Sequence, residues 1–216
     1  MQRKPQPLAR EKEPTNIFEL IRKHPEYNKN NSLQWFIKNV KDLSNNHQLG
    51  PMKMLGDNIL KQKNEVMIGN MYMYTYSAKY KDKLPYWDRF PLIVVINKSK
   101  GSFLGINFHY LPPKYRVILL NKLMMYATDQ KLNEKARLRL TWETLKGASR
   151  FKEVRPCIKR YLKSHVKSRL LRISPQDWPL SIFLPLERFG NMKATSVWEK
   201  SREIMLPQPQ LGTTNT

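Results

Sequence analysis

Two apolar runs joined by a short polar link constrain this chain more than anything else in it. Asp88-Arg89-Phe90-Pro91 leads into Leu92-Ile93-Val94-Val95-Ile96, a run rich in β-branched residues. Such residues fit the pleated surface of a buried strand. Asn97-Lys98-Ser99-Lys100-Gly101-Ser102 supplies the polar residues and the glycine that a tight turn needs. The chain resumes as Phe103-Leu104-Gly105-Ile106-Asn107-Phe108-His109-Tyr110, and Pro112-Pro113 ends it because proline cannot donate to a ladder. The pattern predicts a β-hairpin. Leu92, Val94, Ile96, Phe103, Leu104, Ile106 and Phe108 are its expected core residues.

Around this hairpin the sequence predicts an α+β core domain over 67–205. A small antiparallel sheet, or an SH3-like barrel, would carry flanking amphipathic helices. Gly69 to Tyr76 alternates, so Met71, Met73 and Thr75 face one way and Tyr72, Tyr74 and Tyr76 the other. The tyrosines fit a half-buried packing face better than a stacking platform for bases. Pro113 suits a helix start, and Tyr115, Ile118, Leu119, Lys122, Leu123 and Tyr126 recur at helical spacing. Arg137 to Leu140 alternates as a short strand would, and Thr141 can cap a helix carrying Trp142, Leu145 and Ala148. Ser174-Pro175-Gln176-Asp177 signals a short helix start, Leu180 to Leu184 reads as a strand, and Ser196 opens a last helix to about Met205.

The N-terminal region differs. Residues 1–14 form an arm of proline and mixed charge, expected to be disordered. Residues 15–66 read as a helical appendage, packed on the core or on a neighbouring subunit. It would hold a helix from Asn16 to Lys23, one capped by Ser32 with Leu33, Phe36, Ile37 and Val40 on one face, and one from Met52 to Lys63. Residues 206–216 read as a flexible tail.

Charge restricts the function. There are 39 Lys and Arg against 17 Asp and Glu, a formal net charge of +22. An imbalance of this size calls for an anionic partner, and nucleic acid is the commonest. The positive charge is densest from Lys146 to Arg172. Ile158, Tyr161, Leu162, His165, Val166 and Leu170 recur there at helical spacing, predicting a helix from about Pro156 with Lys159, Arg160, Lys163 and Lys167 opposite. Acids are missing from the usual i+4 pairing positions. The candidate DNA- or polyanion-binding residues are Arg150, Lys152, Arg155, Lys159, Arg160, Lys163, Lys167, Arg169 and Arg172.

Catalytic patterns are absent from the sequence. His24, His47, His109 and His165 are scattered, and Cys157, the single cysteine, completes no zinc site. No phosphate loop is present. Two-metal nuclease chemistry needs convergent carboxylates, which the sequence does not offer. Asp129-Gln130-Lys131 matches a nuclease fragment but falls at a helix end. Asp88 is expected to cap locally or to pair with Arg89, and His109 to be a structural histidine. The expectation is a protein with no catalytic residue, no cofactor and no metal. No apolar run is long enough to span a bilayer, and the N-terminus lacks the apolar stretch of a signal peptide.

Several strings go further. Met71 to Tyr76, Lys81 to Leu92, Gly105 to Pro113, Arg155 to Leu162 and Ile182 to Phe189 resemble the DNA end protector, or head-completion, family of contractile-tailed bacteriophages. The resemblance spans roughly Gly69 to Arg202. It implies a non-enzymatic virion component made in the host cytoplasm. Such a protein would sit near the portal on the ends of packaged double-stranded DNA and shield them from exonuclease. Lysine and arginine on phosphates, without base readout, suit that task. The rival reading is a structural subunit of the phage neck, tail or baseplate, whose basic surface docks on acidic neighbours. A phage nuclease ranks last, for want of carboxylates.

Overall fold

The computed structural model describes Phe18 and residues 33–46, 48–56, 62–127 and 152–206. Their elements, in chain order, are helix α1 (Leu33–Asn46), helix α2 (Pro51–Gly56), and strands β1 (Gln62–Lys63), β2 (Met71–Met73), β3 (Trp87–Asp88), β4 (Leu92–Lys98) and β5 (Ser102–Asn107). Helix α3 (Pro113–Ala127) follows, then β6 (Ile158–Leu162), β7 (Leu170–Ile173), a short helix α4 (Trp178–Ser181), β8 (Phe189–Gly190) and helix α5 (Ala194–Met205). The class is α+β.

The expected hairpin is β4–β5, paired antiparallel. It is closed by Ser99 N–H donating to the Ser102 carbonyl at 2.8 Å. Its core residues are buried, apart from Leu104, which is half-buried. Phe108 is buried in a 3-10 turn just beyond the strand. The register shifts between Val95 and Asn97, and a bulge of this kind sharpens the local twist.

The hairpin sits within a six-stranded sheet of order β1-β7-β2-β4-β5-β6. All its pairings are antiparallel. The sheet curls without closing into a barrel. Strands β6 and β7 are consecutive in the chain, joined through a 3-10 turn at Lys163–His165, but they pair with β5 and β2 rather than with each other. The β2–β7 ladder continues past the named strands: Lys167 N–H donates to the Thr75 carbonyl at 2.8 Å, and Tyr76 bridges Val166.

The alternation in β2 and β4 puts two different cores on the two faces of this sheet. Met71, Met73, Leu92, Val94, Ile96 and Ile106 face an aliphatic core. The helices contribute Val40, Met54, Leu119, Leu123, Trp178 and Val197 to it. Each fully buried side chain of this kind contributes about 1.5–3 kcal/mol. Tyr72, Tyr74, Tyr76, Ile93, Val95 and Tyr161 face the opposite, concave side. The tyrosines of β2 are therefore packing residues, and both faces of the strand are buried.

Several expectations are corrected. The helix from Pro156 to Leu170 does not form. Those residues make β6, the 3-10 turn and the approach to β7. The apparent helical stripe arises because the turn resets a two-residue alternation. Ile158 packs on the aliphatic core, whereas Tyr161, Val166 and Leu170 pack on the tyrosine side. Pairing with the otherwise free edge of β5 outweighs the helical pattern. Leu180–Leu184 is not a strand; it lies in α4 and the turn after it. The Met52–Lys63 helix is shorter, ending at Gly56, and Gln62–Lys63 joins the sheet against β7. Phe18, Val40 and Met54 all enter the aliphatic core. The Arg137–Leu140 strand and the Thr141 helix lie outside the described residues.

Candidate nucleic-acid interface

The link between β6 and β7 separates two openings on the tyrosine side. The first is a groove of about 640 Å³, and its rim includes Lys63, Lys98, Lys163, Lys167 and Arg169, with Glu65 the one carboxylate among the described residues. These side chains come from three places: the β1 end, the tip of the β4–β5 hairpin, and the β6–β7 link. All five cations are exposed. Local bonding fixes the frame beneath them. Lys163 N–H donates to the Gly101 carbonyl at 3.0 Å, and Thr75 N–H to Ser168 Oγ at 2.9 Å.

The second opening is a cleft of about 400 Å³ between the outer edge of β6 and the segment from Tyr76 to Asp88. Tyr80, Tyr86, Trp87, Tyr110, Lys159 and Arg160 are among its lining residues. Lys159 places its ammonium 4.1 Å from the centroid of the Tyr110 ring, a cation–π contact. Burial pushes the Lys159 ammonium below its usual 10.5. Among the described residues no carboxylate lies within salt-bridge distance of it.

Beneath both openings lies an aromatic floor. Tyr161 stacks on Phe103 at 5.5 Å and meets Tyr74 and Tyr76 edge-on at 5.7 and 5.0 Å. Such pairs add about 0.5–1.5 kcal/mol each beyond area burial. Burial raises the Tyr74 and Tyr161 phenols well above 10.0, so both stay neutral.

Asp88 anchors this floor to the hairpin end. Its carboxylate accepts from Phe90 N–H at 2.9 Å, Asn107 Nδ2 at 3.0 Å and His109 Nδ1 at 2.8 Å. Asn107 Nδ2 also donates to the Tyr161 hydroxyl at 3.0 Å. Asp88 is thus buried and pairs with His109 rather than with Arg89, which is exposed. His109 is structural on its Nδ1 side, while its Nε2 is buried without a protein partner. Trp87 lies flat against Gly190, its partner across β3–β8: a Cβ on Gly190 would fall 2.5 Å from the indole ring.

The nine expected basic residues do not form one face. Lys163, Lys167 and Arg169 meet at the groove. Lys159 and Arg160 belong to the cleft. Arg155 is exposed on the 3-10 turn before β6. Arg172 is half-buried and donates to Asn70 Oδ1 at 3.4 Å. Arg150 and the Lys152 side chain lie outside the described residues, as does Asp129-Gln130-Lys131. Lys63 and Lys98 were missed by the sequence reading. Lys98 could have been found, since a predicted hairpin tip carrying Lys98 and Lys100 is itself basic. Lys63 could not, because it was assigned to a helix.

Among the described residues no group of three or more His, Cys, Asp or Glu side chains could hold a metal ion. No described helix is long and apolar enough to cross a membrane.

Fold and openings together define an α+β protein with a half-closed, tyrosine-filled sheet and a cationic mouth. The chain belongs to the family described as the phage T4 terminal DNA protecting protein, whose model matches residues 14–201. The match begins well before Gly69, where the resemblance in the sequence had seemed to start, so it includes most of the N-terminal region. No curated protein and no solved structure matches the chain.

Proposed function

We propose that this protein binds the ends of linear double-stranded DNA through phosphate contacts at the cationic groove, without reading sequence and without catalysing a reaction. The observation that carries this reading is the convergence of Lys63, Lys98, Lys163, Lys167 and Arg169 on one groove that holds a single carboxylate among the described residues. Five cations from separate segments repel one another unless they meet an anion. Each phosphate they neutralise releases counterions, which supplies affinity and makes it salt-dependent. Phosphate contacts fix position but carry no base information. A protein seated there blocks a terminus by occupying it, with no need for a metal or a nucleophile.

The same reading makes the protein a virion component, completing the head near the portal. Neighbouring portal, neck, tail or baseplate proteins would be its other contacts, and the host cytoplasm the place where it meets them. The family's name, which joins phage DNA termini with protection, supports the DNA part of this reading.

The test is binding of linear duplex, with covalently closed circular DNA as competitor, across a salt series. Linear duplex should bind more tightly than circular. The log–log slope should be about 0.9 per neutralised phosphate. Changing Lys163, Lys167 and Arg169 together to Glu should abolish binding while the unfolding midpoint stays nearly unchanged, because all three are exposed. No binding by the parent at low salt would favour the structural-subunit reading, with the groove docked on an acidic neighbour.

A further inference from the structure

We propose that the aromatic cleft beside the groove receives an unpaired nucleobase at the DNA terminus, stacked on Tyr80, with its phosphate on Lys159, whose ammonium lies over the buried Tyr110 ring. This deepens the DNA-end reading and rests on it. Three observations carry it. The cleft, at about 400 Å³, falls within the roughly 300–1,000 Å³ range in which small organic ligands are held. Tyr80, at its mouth, leaves 57% of its surface in solvent. A large exposed ring costs solvation and gains when a flat partner covers it. Lys159, half-buried against Tyr110, has no carboxylate partner among the described residues. A cation in such surroundings gains most from an anion that brings its own apolar surface.

A nucleotide joins those two properties: a flat π-face for the Tyr80 ring and a phosphate for the Lys159 ammonium. Stacking of this kind is tolerant of base identity because every base has such a face. Among the described residues the one acid lining the cleft, Asp88, offers no competing charge at the surface, because it is buried and already accepts three hydrogen bonds. Position also fits. Cleft and groove lie on either side of the same link: Tyr161 and Leu162 line one, and Lys163 and Val166 the other. A strand whose phosphates follow the groove is therefore led to the cleft at its end.

The experiment compares three linear duplexes: blunt, with a short thymidine extension, and with an abasic extension of the same length and charge. The parent should bind the thymidine end at least about fivefold more tightly than the abasic one, the scale of one base stacked on an aromatic ring. Tyr80→Ala should remove that preference while keeping blunt-end affinity. Lys159→Gln should weaken both extended ends and leave the blunt end unaffected. A terminal 4-thiothymidine should photo-crosslink within 76–88 or 158–162, a readout that needs no variant. Equal binding of thymidine and abasic ends, a preference that survives Tyr80→Ala, or a crosslink elsewhere would overturn the inference. Salt-sensitive binding of blunt duplex without base preference sinks this inference alone. Absence of any binding by the parent at low salt sinks it together with the DNA-end reading.

Discussion

The two faces of the curled sheet are built from one alternating sequence and differ in almost every physical property. The helix-covered face is mainly aliphatic and packs a buried core. Its buried cation, Arg116, is partnered within the chain: Nε donates to the Leu111 carbonyl at 2.7 Å, Nη1 to the Ile182 carbonyl at 3.0 Å, and Nη2 is ion-paired with Glu187 at 3.3 Å. The tyrosine face is aromatic and carries the groove and the cleft, and among the described residues the groove cations face one carboxylate, Glu65. Charge balanced by partners within the chain stabilises the fold. Charge left unbalanced at an opening is available to a ligand. On the proposed reading, stability resides on one side and binding on the other.

The sharpest way to break that contrast is to damage the helix-covered side. Phe108→Ala should cost about 3–5 kcal/mol in denaturant unfolding, and the fraction that remains folded should bind linear DNA like the parent. Arg116→Met should cost about 3 kcal/mol, because it strands Glu187 and frees two buried carbonyls. A binding defect in the folded fraction of either variant would mean the two faces are not separable.

A smaller effect is expected where the faces meet. Gly190→Ala places a Cβ against the Trp87 ring, so the indole must move. A loss of about 1–3 kcal/mol follows, together with a change in Trp87 fluorescence and a weakened preference for a base-bearing end. A fluorescence spectrum like the parent's would show that the indole is not held by this contact.

The smallest effect concerns acid. Burial alone would raise the Glu187 carboxyl, but attraction from Arg116 and His109 outweighs it and holds the group below its usual 4.5. A depressed carboxylate contributes stability that is present above the unfolded value and is lost as pH falls through the folded one. Stability should therefore decline below about pH 4.5, and Glu187→Gln should flatten that decline. An unchanged acid limb in the variant would place the acid-sensitive group elsewhere.

The hairpin was legible in the sequence because its two runs and polar link admit few other folds. The β2 alternation was legible for the same reason, and it correctly separated methionines from tyrosines. The basic segment was not. A strand, a turn and a second strand happened to place Ile158, Tyr161, Leu162 and Val166 at helical spacing, and only pairing with β5 reveals the phase change. The candidate site suffered in consequence. Lys163 and Lys167 were named from the sequence, but Lys63 and Lys98, which share the groove with them, arrive from distant segments, and no local pattern brings them together. Arg116 escaped notice because an arginine inside an apolar helix reads as a solvent-facing position, whereas two backbone carbonyls and Glu187 hold it in the core.

The central claim is that DNA lies across the mouth of the tyrosine face. Photo-crosslinking of a linear duplex carrying reactive phosphates, followed by peptide mapping, tests it most directly. Crosslinks should concentrate at Lys63, Lys98, Lys163, Lys167 and Arg169 and fade as salt rises. Crosslinks concentrated instead on the outer surfaces of α3 and α5, with the groove untouched, would contradict it.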